Sequence, residues 1–586
     1  MKIKKKIISS VLAFGMAFSL MFAATACGTD NPSSTGGNSG NGSARDDAYD
    51  PTKTQVQVFV YNAGYKDEWL KKLEEDFEDV NKDVSYEEGK KGVQVRHVGD
   101  MKQFTADDIK NSDYDIFFFE GGDYYAWRQS GALEDITSVV TGQSKYDGKT
   151  IRSKLDDQQI SFFGGVTADG AEEKYYGLPN YKGYYGFVYN MDIFDEYGFY
   201  IANSDTIELI SKSNSEKSKG PDGKTGVENG IDYSLDDGLP ATYEEFLFLC
   251  DKMLSRGVTP LALPGQYSDY YLNELYNVLV AEYEGAQQME LGLSFKGTAT
   301  DLVKVTGSGE NYTVVKENGV PVIETVDVDY ASNGYEVFRQ AGRYYALEFL
   351  QKLLSNERNY NEDGFNMAFS QTDAEEMFLK SGTDMSVSDE KYAMLVDGSW
   401  WEAEADVVFN GMAKKNEKYS KQNRRFGWMP LPKANKDKVG KGQLFVDYLE
   451  SMVCVKSGLK GNKQAALDFV QFACRDEALD QFTEITHALK AFKYTISDSV
   501  VNNTNTFTKS LINYDKQSTQ FSYFNNSPFY LKNRSVLMPT KVNTMGDGTG
   551  TPVTLLKENK IKSGEEYFLK SYAYWRKRGD AFWKEV

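Results

Sequence analysis

Two short loops in the N-terminal third hold the residue types best suited to gripping a polar ligand. Glu120-Gly121-Gly122-Asp123-Tyr124-Tyr125, with Trp127 just beyond, offers two carboxylates, two adjacent tyrosines and glycines for close approach. Tyr61-Asn62-Ala63-Gly64-Tyr65 places an amide among further rings. Tyrosine and tryptophan join an apolar face to a polar tip, which suits amphiphilic ligands. Covalent chemistry has less to work with. Only His97 and His487 occur, so neither a zinc enzyme nor a histidine-dependent nucleophilic triad is expected. Cys250, Cys454 and Cys474 lie in apolar runs without metal-ligand spacing, and buried free thiols are expected.

The elements that must position these loops alternate. Val56–Tyr61 reads as a buried strand and Asp67–Val80 as an amphipathic helix whose apolar face holds Trp69, Leu70, Leu73 and Phe77. Val93–Val98 is a second strand. Ile116–Phe119 is entirely apolar, as a strand covered on both faces would be. Strand–helix–strand alternation indicates an α/β lobe with a mostly parallel sheet. Ligands of such sheets sit outside the carboxyl ends of the strands, where both loops fall. Further on, Thr242 and Glu245 have the spacing of a capping box at a helix start.

The whole chain is too long for one core, so two or more lobes are expected. Its net charge of −20 argues against a nucleic-acid partner, which would require clustered Lys/Arg. At the N-terminus, Lys2, Lys4, Lys5 and Lys6 precede the apolar run Ile7–Ala26, the pattern of an export signal. Ala24-Thr25-Ala26-Cys27 resembles a bacterial lipobox, with Ala24 where the pattern prefers leucine; a plain secretory peptide cut after A-x-A is the alternative. Lipidation of Cys27 would tie the protein to a membrane by its lipid anchor only, through the Gly/Ser-rich stretch that follows. No later apolar run is long enough to cross a bilayer.

Several segments, in order, resemble the family 1 extracellular solute-binding proteins of ABC importers, the group that contains maltodextrin-binding proteins. They are Tyr176–Pro179, Val188-Tyr189-Asn190 with Phe194 and Gly198, Pro240–Phe246, Gly257–Leu261, Ala393–Trp400, Phe426–Pro432, Val453–Ser457 and the helix from Lys463 to Cys474. Residues 205–237 and 295–329 look like insertions, the second with turn signals that suggest hairpins.

The resemblance implies an α/β, two-lobed periplasmic-binding-protein-like fold (type II) with a ligand cleft between the lobes. The implied divisions are a signal peptide at 1–26, a tether at 27–53, lobe 1 at 54–183, lobe 2 at 184–428, a return to lobe 1 at 429–505, and a C-terminal helical segment on lobe 2 at 506–586. The crossings should fall near 180–186 and 427–430. It implies that Trp400, with Trp401 as the alternative, forms a ligand platform, that Asp397 contacts the ligand or else terminates its strand, and that Glu120, Asp123 and Tyr124 meet the ligand from lobe 1. Tyr181 and Tyr184 would line the cleft floor; Tyr267, Asp269 and Tyr270 would add contacts, as would Asn62.

The implied activity is capture of an oligosaccharide and delivery to ABC permease subunits served by a separate ATPase, at the extracellular face of the cell membrane, by a monomer without cofactor. No EF-hand loop occurs, and no metal is expected. The alternatives are a surface-anchored glycoside hydrolase or lyase, which would need two opposed carboxylates, and a binding protein for a non-sugar polar solute.

Overall fold

The structure, a computed structural model, describes residues 48–165, 173–386, 389–447, 449–543, 550–578 and 582–583. The signal segment, Cys27 with its expected lipidation, and the tether up to residue 47 lie outside the described residues. Among the described residues no helix is long and apolar enough to cross a membrane.

Nine strands build two sheets: β1 (Thr54–Tyr61), β2 (Val93–Asp100), β3 (Ile116–Phe119), β4 (Gly177–Pro179), β5 (Tyr185–Asn190), β6 (Val258–Ala262), β7 (Lys391–Gly398), β8 (Phe426–Met429) and β9 (Met452–Val455). The first sheet has the order β2-β1-β3-β9-β4. Its β1, β2 and β3 run parallel, and β9 inserts antiparallel between β3 and β4. The second has the order β6-β7-β5-β8, with β6 and β7 parallel and β5 antiparallel to both β7 and β8. All four residues of β3 are buried, as an apolar strand with helices on both faces must be.

Local chemistry starts the elements where the residue types call for it. Trp69, Leu70, Leu73 and Phe77 are the buried face of the helix Glu68–Val80. Thr242 caps its helix by accepting the Glu245 N–H, but the Glu245 carboxylate turns to the Ala241 N–H at 2.6 Å, so the reciprocal half of the box is absent. In the insertion at 295–329, Lys296–Val303 pairs with Ile323–Asp329 around smaller hairpins. Asn318 and Gly319 take φ of 51° and 82° at one tip, the left-handed conformation that an Asn-Gly turn supplies.

The chain leaves the first sheet after β4 and enters the second at β5, so 180–184 is a crossing. On the way back, Gln443–Asp447 lies between β8 and β9 and pairs in parallel with Ser518–Ser522. The C-terminal segment touches both lobes. Its helix Thr506–Gln517 packs on β8, whereas Gln158 Nε2 donates to Ser522 O at 2.7 Å and Arg534 donates to Gly122 O at 2.9 Å. Further along, Asn543 bonds Asn277 at 2.7 Å, and the helix Gly564–Lys577 lies against Ala341–Ser355.

Each lobe has a dense aromatic core. Cys250, Cys454 and Cys474 are free and buried. Trp401 is fully buried among Phe378, Phe409, Phe426 and Phe507, and its indole N–H has no acceptor. Trp401→Ala is therefore expected to cost about 3–5 kcal/mol in a denaturant titration. Trp401→Phe should cost clearly less, because it removes the unpaired N–H along with part of the ring. Equal losses for the two variants would contradict this placement.

Candidate functional site

The parallel strands of both sheets direct their carboxyl ends at one another. β1 and β3 end at Tyr61 and Phe119, and β6 and β7 end at Ala262 and Gly398. The loops that follow, 62–66, 120–123, 263–267 and 399–400, meet at the junction of the lobes. Tyr65 Oη lies 2.6 Å from Ser399 Oγ and donates to Lys182 O at 3.0 Å, joining lobe 1, lobe 2 and the crossing segment.

Trp400 is the wedge at this junction. Its ring stands edge-on to Tyr185, with centroids 4.9 Å apart. A Cβ placed on Gly64 would approach Trp400 to 2.6 Å, one on Gly183 to 3.1 Å and one on Gly398 to 2.2 Å, so three glycines from three segments make its slot. Only 6% of Trp400 is exposed. It is an interlobe contact and not the open platform expected.

Tyr270 offers the open ring. It keeps 41% of its surface exposed, yet burial raises its hydroxyl, reinforced by Glu274 and also by Glu120 and Tyr61 of the opposite lobe. Tyr185 donates to the Tyr270 hydroxyl at 3.2 Å and fixes its tilt. From lobe 1, burial and then Glu120 push Tyr61 up to about 12. Glu120 is itself pushed up to about 7, by burial first, opposed by the Tyr181 hydroxyl that donates to it at 2.6 Å, and raised further by Asp447. Half-buried Tyr267 feels burial and then Glu404. Burial and then Asp397 raise Glu404 well above the usual carboxylate range, with Glu120 adding across the junction. Tyr61, Glu120, Tyr267, Tyr270 and Glu404 thus make up an acidic, aromatic group whose members act on one another electrostatically at the junction of the lobes, with half-buried Asn62 following β1.

The other expected residues fall elsewhere. Asp123 is exposed and caps the helix Tyr124–Gln129, accepting the Ala126 N–H at 3.0 Å. Tyr124 turns inward onto Phe162 and Phe163. Asp269 is held by the Thr554 N–H at 3.0 Å and by the hydroxyls of Thr551 and Thr554, so it fastens the C-terminal segment. Tyr181 stacks on Phe482 and reaches this group only through Glu120. Tyr184 is buried beside Phe445 and Trp428, with its hydroxyl on Asp515 at 3.3 Å. Asp397 is fully buried next to Glu375 and Glu404. A cavity of about 450 Å³ lined by Lys182, Asp447, Tyr494 and Asp515 includes none of the expected ligand residues; its Lys182 is already paired with Asp515 and Gln520.

Tyr61 opens one of the two loops singled out in the sequence, whereas Glu404 was not anticipated. Tyr61 is the last residue of a strand whose carboxyl end was singled out, so position was its signal. Glu404 stands in a plain Trp-Trp-Glu-Ala-Glu run that has no local signature.

Two α/β lobes joined by crossing segments, with aromatic and acidic side chains gathered at facing strand ends, define a two-lobed binding protein. The chain belongs to the bacterial extracellular solute-binding protein family, whose model matches residues 84–508, well over half its length. That family is one of binding proteins rather than enzymes. Among solved structures, the chain is similar to a chitin oligosaccharide binding protein, at 15% identity and a TM-score of 0.52, over 90% of this chain and 99% of that one. It is also similar to the solute-binding protein RafE in complex with raffinose (14%, TM-score 0.48, 89% and 99%) and to the GacH receptor of Streptomyces glaucescens GLA.O (14%, TM-score 0.48, 91% and 99%). No curated protein matches the chain by sequence.

The buried acids give the apo protein a pH dependence. Burial raises Glu120 and Asp447 to about 7, and Asp397 and Glu274 to about 8, from ordinary values of 3.8 to 4.5. The folded state therefore holds protons that the unfolded chain has released. The stability involved is present below about pH 4 and is lost as pH rises through 7 and 8. His97, raised to about 9 between Glu74 and Asp67, acts in the same sense. Thermal midpoints in chelating buffer without ligand are expected to fall from pH 5 to pH 7, and Glu120→Gln should flatten that slope. A midpoint that rises over this interval would contradict the assignment.

Proposed function

We propose that the protein captures an oligosaccharide between its lobes and hands it, unaltered, to the permease of an ABC importer. The observation that carries this reading is Tyr270, an exposed ring at the lobe junction that feels Glu120 of the opposite lobe, which in turn acts on Glu404. A pyranose presents an apolar face and a fringe of hydroxyls. Tyrosine rings cover the first, and desolvated carboxylates accept hydrogen bonds from the second. Covering about 50 Å² of sugar face contributes on the order of 1 kcal/mol, so several rings with hydrogen bonds reach the roughly 8 kcal/mol of micromolar affinity. The chitin oligosaccharide binding protein, whose fold the chain shares, is consistent with this reading.

Trp400 acts as the closing contact, holding lobe 1 against lobe 2 through Gly64, while Tyr270, Tyr61 and Tyr267 supply the ring faces. The protein acts as a lipid-anchored monomer at the outer face of the cell membrane, attached through Cys27, with permease subunits and a separate ATPase as partners. A tether raises the encounter rate of receptor and permease, as for any linked pair of binding modules.

A panel of neutral oligosaccharides, followed by thermal shift and by analysis of the recovered sugar, tests the reading. At least one is expected to raise the midpoint saturably and to be recovered intact. Tyr270→Ala should weaken its binding by about tenfold, close to the 1–2 kcal/mol carried by one ring and its hydrogen bond. Sugar turnover, or affinity unchanged in Tyr270→Ala and Trp400→Ala alike, would defeat the proposal.

A further inference from the structure

One carboxylate oxygen each from Glu375, Asp397 and Glu404 lie within 4.8 Å of one another. The three residues come from separate elements: the helix Gln371–Lys380, the end of β7, and the short helix Trp401–Glu404. Glu375 and Asp397 are fully buried, and Glu404 is half-buried. Asp397 accepts the Gly398 N–H at 2.6 Å through one oxygen, but its Oδ2 has no hydrogen-bond partner, nor has Glu375 Oε2. The surrounding groups do not balance the charge. Gln371 donates to Glu404 and reaches Glu375 at 3.4 Å. The Tyr271 hydroxyl stands near Asp397 and Trp400. Lys66 acts on Glu404 but is shared with Asp406 at 3.9 Å, and Glu120 adds negative charge from the other lobe.

Two buried carboxylate oxygens without donors, aimed into a cluster of three acids, call for either shared protons or a cation. The donor set is entirely oxygen, without thiolate or imidazole, and so fits a hard ion; the carboxylates converge from three elements, as flexible calcium coordination permits. We propose that Glu375, Asp397 and Glu404 form a calcium site at the carboxyl end of β7. The ion ties the helix Gln371–Lys380 to the segment that presents Trp400. No EF-hand loop announces the site, because its ligands are distributed over 30 residues of three elements.

Protein stripped with chelator and titrated with Ca²⁺ near neutral pH, by calorimetry and by thermal melting, tests this. Saturable uptake of one Ca²⁺ per chain below about 1 mM is expected, together with a midpoint rise of several degrees. Asp397→Asn and Glu375→Gln should weaken uptake about tenfold or more. In chelator these variants should melt no lower than the parent, since each relieves repulsion among the acids. Glu404→Gln, at the half-buried edge, should weaken uptake with the least effect on packing and decides the matter if the buried variants misfold. An absence of saturable uptake by the parent, or uptake unchanged in Glu404→Gln, overturns the site and leaves three acids that share protons.

Discussion

The indole of Trp400 occupies its place because Gly64, Gly183 and Gly398 all lack a side chain. Those glycines belong to the loop after β1, the crossing segment and the last position of β7, so one ring reads the positions of both lobes and of the strand path between them. Beside it, the Tyr65–Ser399 hydrogen bond repeats the link in polar form. A Cβ at Gly64 or Gly398 would intersect the ring and one at Gly183 would crowd it, so this junction leaves little room for gradual adjustment. Interfaces packed this tightly favour discrete open and closed arrangements over a continuum, which is what a hinged binding protein uses.

Charge is distributed by the same logic. Several acids that serve the architecture have cationic partners: Glu282 with Lys433, Glu450 with Arg534, and Glu74 and Asp67 with His97. At the lobe junction, Glu120 is held by the neutral Tyr181 hydroxyl, and Glu404 is bonded by an amide. Burying acids without close counterions costs stability, and the facing strand ends carry part of that cost. A ligand rich in hydroxyl groups supplies the donors these acids lack. Binding thereby offsets part of the desolvation already incurred in folding, and the junction is prepared for its ligand before it arrives.

Much of this arrangement was legible in the residues. The apolar strand Ile116–Phe119 and the amphipathic helix after β1 have the expected limits to within a residue or two, because burial on two faces or on one leaves a clear pattern. The strand-end rule pointed to Tyr61–Tyr65 and Glu120. What failed was orientation. Trp400 and Trp401 are adjacent and chemically identical, and only the path of the chain after β7 decides that one meets Gly64 while the other enters the core of lobe 2. Asp123 and Asp269 have the right chemistry for a ligand, but helix N-termini and distant threonines take them first. Glu375, Asp397 and Glu404 converge only in three dimensions, as does the C-terminal segment that reaches Gly122 and Gln158, and no local spacing encodes such contacts.

Ligand held between the lobes by the strand-end loops of both would order those loops together. Hydrogen exchange measured with and without a saturating bound oligosaccharide tests this most directly. Protection is expected at 61–66 and 120–122 of lobe 1 together with 265–271 and 398–404 of lobe 2. Protection confined to one lobe, or centred on 490–496 at the cavity beside Lys182 and Asp447, would contradict it.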